Sequence, residues 1–288
     1  MLKVNSTSIS IIIPAYNEER HIAACLDAIS AQTQMPEEVI LVDNNCSDNT
    51  VKIAEKYSFV KILKEKKQGR AHARNAGFNA AKSDILGRID ADSVLESEWV
   101  NKVKSIFEND NISVITGGAY TDLVPYTNRF KTTSFLNAYH KNELMLTGWY
   151  SVWGANCALR KSSWKLVENK LALDDTHAHE DQDIGFNLMS EGFKIHYIED
   201  LMITTSGQSY RYLPKLILYT ILNAKTKKLN YLNGNIAVIQ LKLGRDRASY
   251  LKRISVGLKN IKWGIYVLTL SLLCFPIDVV LQRDKRLR

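Results

Sequence analysis

An open, doubly wound α/β sheet is the fold class this sequence predicts, and three observations predict it. Short apolar runs at 8–13, 38–42, 59–63 and 85–89 alternate with stretches whose apolar residues recur at helical spacing, the pattern of strand–helix–strand units around a mostly parallel sheet. The first two runs are apolar at nearly every position, as strands buried on both faces are. Pro14, Asp43 and Asp90 all fall at predicted carboxyl ends, where open α/β sheets bind ligands, so the three are expected to converge on one crevice.

The elements follow in order. The strand 8–13 is ended by Pro14. Asn17 is placed to cap a helix whose first turn carries Glu18 and Glu19, as the helix dipole prefers, and Ile22, Leu26 and Ile29 recur at i, i+4 and i+7. The strand 38–42 is ended by Asp43, and Ser47 or Asp48 caps a helix running through Ile53 and Tyr57. A third strand at 59–63, a helix at 71–81 and a fourth strand at 85–89 complete the regular part. Strands at 113–120 and 193–197 and a helix at 183–190 are expected beyond it. Trp149 to Leu159 mixes aromatics with Gly154 and Ala155 in the manner of a pocket wall.

The chain has 288 residues, 45% hydrophobic and 24% charged, which is ordinary for a domain with a real core. Cys25, Cys46, Cys157 and Cys274 are scattered without a Cys-X-X-Cys. That argues against a disulfide framework or a zinc site and fits a reducing compartment. The first seven residues lead straight into a strand, so no signal peptide is expected. No Gly-X-Gly-X-X-Gly follows the first strand and no Gly-X4-Gly-Lys-Ser/Thr occurs, which weakens a dinucleotide or P-loop reading.

The net charge of +8 is unevenly placed. Residues 211–288 hold 16 Lys/Arg against 3 Asp/Glu, whereas residues 1–210 hold 22 against 27. A slightly acidic body therefore carries a strongly basic extension, whose partners are anionic surfaces. Trp263 to Ile277 is free of charge, but at 1.5 Å per residue its helix would fall short of the roughly 30 Å hydrocarbon core. An interfacial segment with basic flanks fits this better than a span, and a buried core helix is the rival reading. The expected organisation is a body at 1–210 and a basic, apolar helical extension at 211–288, on the cytoplasmic side, at the inner face of the cell membrane.

Ile89-Asp90-Ala91-Asp92 carries the chemistry. In an extended chain, residues i and i+2 point to one side, so Asp90 and Asp92 would reach one cation together. Oxygen-only ligands suit Mg²⁺ or Mn²⁺, which complete their shells with substrate phosphates. Three pieces line up around this motif: Ile11-Ile12-Ile13-Pro14-Ala15-Tyr16-Asn17-Glu18-Glu19 with Val42-Asp43-Asn44-Asn45-Cys46-Ser47-Asp48-Asn49-Thr50; Gly69-Arg70-Ala71-His72-Ala73-Arg74-Asn75-Ala76-Gly77 before Asp90-Ala91-Asp92; and His179-Glu180-Asp181-Gln182-Asp183.

This order and spacing resemble the family 2 glycosyltransferases of the GT-A fold, over roughly residues 8–210. The resemblance implies an inverting enzyme that moves a sugar from a nucleotide-diphosphate donor to a saccharide or lipid-linked acceptor, with Mg²⁺ or Mn²⁺. It implies that Pro14, Ala15, Tyr16, Asn17, Glu18, Asp43 and Asn45 hold the nucleoside, with Asp43 accepting from the base's ring N–H. By the same resemblance Gly69, Arg70 and Arg74 flank the nucleotide and diphosphate, Asp92 and Asp90 hold the metal with Asp90 near the ribose, and Asp181 with Glu180 beside it is the general base. Trp153, Gly154, Ala155 and Asn156 are the expected acceptor wall, although the tryptophans read equally well as core. Gln208-Ser209-Tyr210-Arg211-Tyr212 is similar to the Gln-X-X-Arg-Trp signature of processive synthases with Tyr for Trp. The several membrane spans of those enzymes are not expected here, so Arg211 is expected only to reach the diphosphate from a loop.

Rival readings are a non-catalytic surface- or nucleic-acid-binding protein that keeps the fold, and a sugar-nucleotide pyrophosphorylase. The latter calls for a glycine-rich N-terminal loop, which Pro14-Ala15-Tyr16-Asn17-Glu18 is not. No nucleic-acid partner is expected.

Overall fold

The computed structural model describes residues 7–121, 144, 149–174, 178–206, 225–226, 228–230 and 232–234. Strand β1 (Ile9–Ala15) is followed by α1 (Ile22–Ser30), β2 (Glu38–Asp43), α2 (Thr50–Ala54), β3 (Val60–Lys64), α3 (Arg70–Ala80), β4 (Ile85–Ile89) and β5 (Ser93–Leu95). Then come α4 (Trp99–Phe107), β6 (Val114–Thr121), β7 (Asn156–Arg160), α5 (Lys161–Val167), α6 (Glu180–Ser190) and β8 (Ile195–Thr205).

The strands form one eight-stranded sheet in the order β3-β2-β1-β4-β7-β6-β8-β5. The β3-β2-β1-β4 half is parallel throughout, as the alternation predicts. The other half is mixed: β7 runs antiparallel to both β4 and β6, and β5 antiparallel to β8. Side chains alternate between two cores. Ile11 and Ile13 join Leu26, Trp99 and Val103 on one face, while Ile12 joins Phe78, Trp164 and Ile184 on the other, the period-two consequence of the pleat.

Several boundaries differ from the sequence expectation, each for a local reason. Pro14 does not end β1, which runs on to Ala15. The Ala15 carbonyl accepts from Asn44 N on the β2 side, so Pro14 faces the β4 side, where pairing stops at Ile12. A proline there removes no ladder bond. Asn17 does not cap α1: it sits at φ 57°, a region asparagine tolerates, and its Oδ1 accepts from Ser47 N at 2.8 Å. The helix begins only at Ile22. Helix α2 stops at Ala54 and leaves Tyr57 outside, although Asp48 Oδ1 does accept from Thr50 N at its start. The 149–159 stretch is a loop followed by strand β7. Strand β8 continues past Tyr197 because Glu199, Asp200 and Leu201 occupy a bulge opposite Gly117/Gly118, after which pairing resumes at Met202.

Helix α3 lies close on β1 and β2 because Gly77 presents no side chain to them. A Cβ there would overlap Ile12 Cγ2 and stand 3.0 Å from Val42 Cγ2. Gly77→Ala is therefore expected to lower stability by about 1–3 kcal/mol through overpacking. Urea unfolding followed by circular dichroism reads the change, and an unchanged midpoint would contradict this packing.

Candidate functional site

The carboxyl ends of β1 and β2 lie side by side, with Ala15 in register with Asp43. Beyond them Tyr16 is 53% exposed, the state of a ring free to stack on a flat ligand. Asp43 is buried and its Oδ1 accepts from Cys46 N at 2.8 Å. Glu18 N donates to Thr50 Oγ1 at 2.7 Å. Asn45, at φ 67°, donates from Nδ2 to Lys66 O and Gln68 Oε1. Asn44, which sequence reasoning left without a role, anchors the whole 65–69 loop. Its Nδ2 donates to the Glu65 and Lys67 carbonyls at 3.1 and 2.7 Å, and its Oδ1 accepts from Gly69 N at 2.9 Å. Gly69 holds φ 143°, which only glycine adopts without strain, and from it α3 starts with Arg70 at the mouth.

Deeper, the structure brings the second and third sequence pieces together around a residue that sequence reasoning passed over. Arg88, 3% exposed, extends from near the carboxyl end of β4. Its Nη1 donates to Asp181 Oδ1, and its Nη2 reaches Asp90 Oδ1 at 3.3 Å and Glu180 Oε1 at 3.4 Å. The other oxygen of Asp181 accepts from Gly154 N at 2.9 Å. The only sequence signal for Arg88 is a single charge inside the apolar run 85–89, which is costly to bury unless paired.

Burial opposes ionisation of Glu180, but Arg70, His179, Arg88 and Arg74 outweigh it and hold its carboxyl well below the usual range. Arg88 loses hydration yet is kept charged by Asp181, Asp90 and Glu180. Asp90 is raised to about 7, first by lost hydration and then by Asp181, Asp92 and Glu180, against the lowering effect of Arg88. Its side chain still reaches solvent, at 45% exposure, because it stands at the mouth of this nest.

Asp90 and Asp92 are not on an extended segment. They occupy the turn between β4 and β5, closed by Ser93 N to Asp90 O at 3.0 Å. Asp92 is held from β8, its Oδ2 accepting from Thr205 Oγ1 and Ser206 Oγ. Among the described residues no group of three or more His, Cys, Asp or Glu is set to hold a metal ion. Two hard carboxylates, one open to solvent and pressed by like charge, nonetheless fit Mg²⁺ or Mn²⁺, which fill their shells with phosphate oxygens and water.

Other expected site residues sit elsewhere. Arg74 is 1% exposed and turned inward: Nη1 donates to Glu180 O at 2.7 Å, Nε and Nη2 to Asn75 Oδ1, and the guanidinium lies 6.0 Å over Trp164. It braces α6 and does not face a diphosphate. Asn156 is fully buried and knots the mixed half of the sheet, donating to Gly118 O and Leu201 O and accepting from Trp99 Nε1 at 2.9 Å. Ala155 is also buried, and Trp149 is core, edge-on to Phe186. Trp153 is half-buried against the first core, its N donating to Thr116 Oγ1. Gly154 alone of the expected acceptor wall touches the acidic nest. Arg211 lies outside the described residues.

Residues from beyond position 211 also reach this site. His179 N donates to Thr226 Oγ1 at 2.7 Å and Asn230 Nδ2 donates to Asp183 Oδ1 at 3.0 Å, both partners fully buried. These bonds flank Glu180 and Asp181 at the start of α6. No helix of the described residues is long and apolar enough to cross a membrane, and the 263–277 segment lies outside them.

Comparison with known proteins shows the family and the fold. The model of glycosyl transferase family 2 matches residues 10–166. Glycosyltransferase AglE of Haloferax volcanii is 31% identical over 116 residues, 38% of this chain and 38% of that protein. Glycosyltransferase GlyG of Streptococcus pneumoniae is 28% identical over 120 residues, 40% of each. The chain thus spans about two fifths of the length of these curated relatives. Among solved structures, TarS 1-349 of S. aureus superposes with a TM-score of 0.58 at 15% identity, over 86% of this chain and 71% of that one. The mannosyltransferase PcManGT of Pyrobaculum calidifontis, in complex with GDP-Man and Mn²⁺, superposes at 0.56 and 15% identity, over 94% and 82%. At these identities the structural likeness establishes the GT-A-type fold alone.

Two outcomes are expected. Asn44→Ala removes the anchor of the 65–69 loop, so limited trypsin digestion should cleave at Lys64, Lys66 or Lys67 at least several-fold faster than in the native chain; equal rates would show that the loop is held otherwise. Burial pushes the Cys46 thiol to about 11 and the Cys157 thiol to about 12. The folded chain therefore keeps these protons where an unfolded chain, with thiols near pKa ~8.5, has lost them. Their stabilisation is complete below that value and is lost as pH rises through 11 and 12. Urea midpoints between pH 8 and 11 should decline less steeply in Cys46→Ser and Cys157→Ala than in the native chain, and parallel slopes would refute the assignment.

Proposed function

This chain belongs to glycosyl transferase family 2, and we propose that it transfers a sugar, with inversion, from a nucleotide-diphosphate donor to a hydroxyl of a lipid-linked or cell-envelope saccharide. The observation that carries the reading is the shared cation: Arg88 holds Asp181, Glu180 and Asp90 together, so the proposed base and the proposed donor motif form one unit. UDP-sugars are the favoured donors. TarS has been crystallised with UDP-GlcNAc and with UDP, and Asp43, at the end of β2, supplies an acceptor for a uracil ring N–H.

The steps assigned to this chain's own residues are as follows. Tyr16 stacks on the base and Asp43 accepts its N–H. Arg70, 40% exposed at the start of α3 and 3.5 Å from Glu180, faces the diphosphate. Asp181 takes the proton of the acceptor hydroxyl as its oxygen attacks the anomeric carbon, and the nucleoside diphosphate leaves from the opposite side. Such a positioned base contributes on the order of 10²- to 10⁴-fold. Asp90 and Asp92 would hold Mg²⁺ or Mn²⁺, which when bound offsets charge on the leaving diphosphate. The basic extension beyond 211 would keep the chain at an anionic cytoplasmic membrane face, where a lipid-linked acceptor is presented.

Calorimetric titration with UDP, GDP, dTDP and CMP, with Mn²⁺ or with EDTA, tests the donor site. One diphosphate should bind in the presence of Mn²⁺ and fail to bind Asp92→Asn. Asp181→Asn should keep that binding and lose transfer by about 10²-fold or more. Binding of none of the four by the folded chain would remove the donor-site reading. The membrane part is separate: the full chain should sediment with phosphatidylserine vesicles and be released by high salt, and equal sedimentation with phosphatidylcholine would refute an electrostatic attachment.

A further inference from the structure

We propose that Arg88 is a positioning residue for catalysis: one buried guanidinium fixes the base carboxylate of Asp181 while tying it to Asp90 of the donor motif. This inference rests on the glycosyltransferase reading above and assigns a role within that same site.

Three observations carry it. First, every hydrogen bond made by Arg88 side-chain nitrogens goes to a carboxylate, of Asp181, Asp90 or Glu180, and these come from two segments some ninety residues apart. A guanidinium presents its donors in a rigid planar fork and stays charged when buried, so it holds the three acids at fixed angles, which the freely rotating donors of an ammonium do not. Second, the arrangement costs stability. Arg88 Nε is buried without a hydrogen-bond partner among the described residues, and Arg88 stands in an otherwise apolar strand. Buried ion clusters of this kind are commonly replaced by apolar residues with no loss of stability, so a purely scaffolding role gives no reason for this one. Third, the fit around the pair is close. At Gly154, whose N–H donates to the second oxygen of Asp181, a Cβ would overlap both Arg88 Nη1 and Asp181 Oδ1. With one oxygen on Arg88 and the other on Gly154 N, the carboxylate has a single orientation and its remaining lone pairs are left for the acceptor hydroxyl.

The test uses the full chain and two variants, Arg88→Met and Arg88→Lys, with kcat, the donor KM, UDP binding with Mn²⁺ and thermal unfolding read on each. Removing the charge should lower kcat about 10²-fold, the scale of a mispositioned base, with UDP affinity held within about tenfold because Asp43, Tyr16, Arg70 and Asp92 are untouched and Asp90 loses only one contact. Arg88→Lys, which restores the charge without the fork, should recover about tenfold of that loss. Unchanged kcat in Arg88→Met overturns the proposal. So does a parallel fall of kcat, UDP affinity and melting temperature in both variants, which marks a scaffold residue. Absence of transfer by the native chain with every donor sinks the glycosyltransferase reading itself and this assignment with it.

Discussion

The rest of this structure depends on one constraint: three charged side chains, Arg88, Asp181 and Glu180, are buried together beneath the half-open Asp90, and none of the three is tolerable there without the others. A lone buried charge costs several kcal/mol. The chain avoids that cost by bringing the carboxyl end of β4, the turn after it and the first turn of α6 to one point. Arg74 closes the nest from α3 by donating to the Glu180 carbonyl, and Gly154 closes it from the loop before β7. Four separate stretches of sequence thus converge on it, two from the parallel half of the sheet and two from the mixed half.

That mixed half has its own fastening. Asn156 makes three buried hydrogen bonds, to the backbone of β6 and β8 and to Trp99 of α4. Its amide donates to two carbonyls at the bulge between β6 and β8. A residue of this type reads in sequence as a polar lining of a pocket. In the fold it does the opposite work, spending its polarity internally so that the neighbouring Gly154 stands close to Asp181.

The start of α6 also draws on chain from well beyond the sheet. Thr226 takes the His179 N–H and Asn230 bonds Asp183. One of the orphan donors at the helix start is satisfied in this way, on either side of the two acids that the proposed chemistry needs. Part of the region expected to serve only as a basic extension is therefore packed against the site, and attachment of that extension to a surface would act on residues bonded two positions to either side of Asp181.

The parallel half of the fold was legible in the sequence, because strands buried on both faces must be apolar at every position and the intervening helices must show a 3.6-residue period. Ile9–Ala15, Glu38–Asp43, Val60–Lys64 and Ile85–Ile89 lie within two residues of where those patterns place them. The meeting of Pro14, Asp43 and Asp90 at one edge followed from parallel strand direction alone. Strand β7 and the far end of β8 were not legible, since an antiparallel insertion and a bulge break periodicity and only the pairing partner restores it. Nor were the roles of Arg74, Arg88 and Asn156, because a side chain's type fixes what it can bond and not what stands within reach. Sequence determined the βαβ scaffold and the inventory of acids and bases. Tertiary structure alone decided which of them are paired, since residues as far apart as Arg88 and Asp181 have no local signal of their meeting.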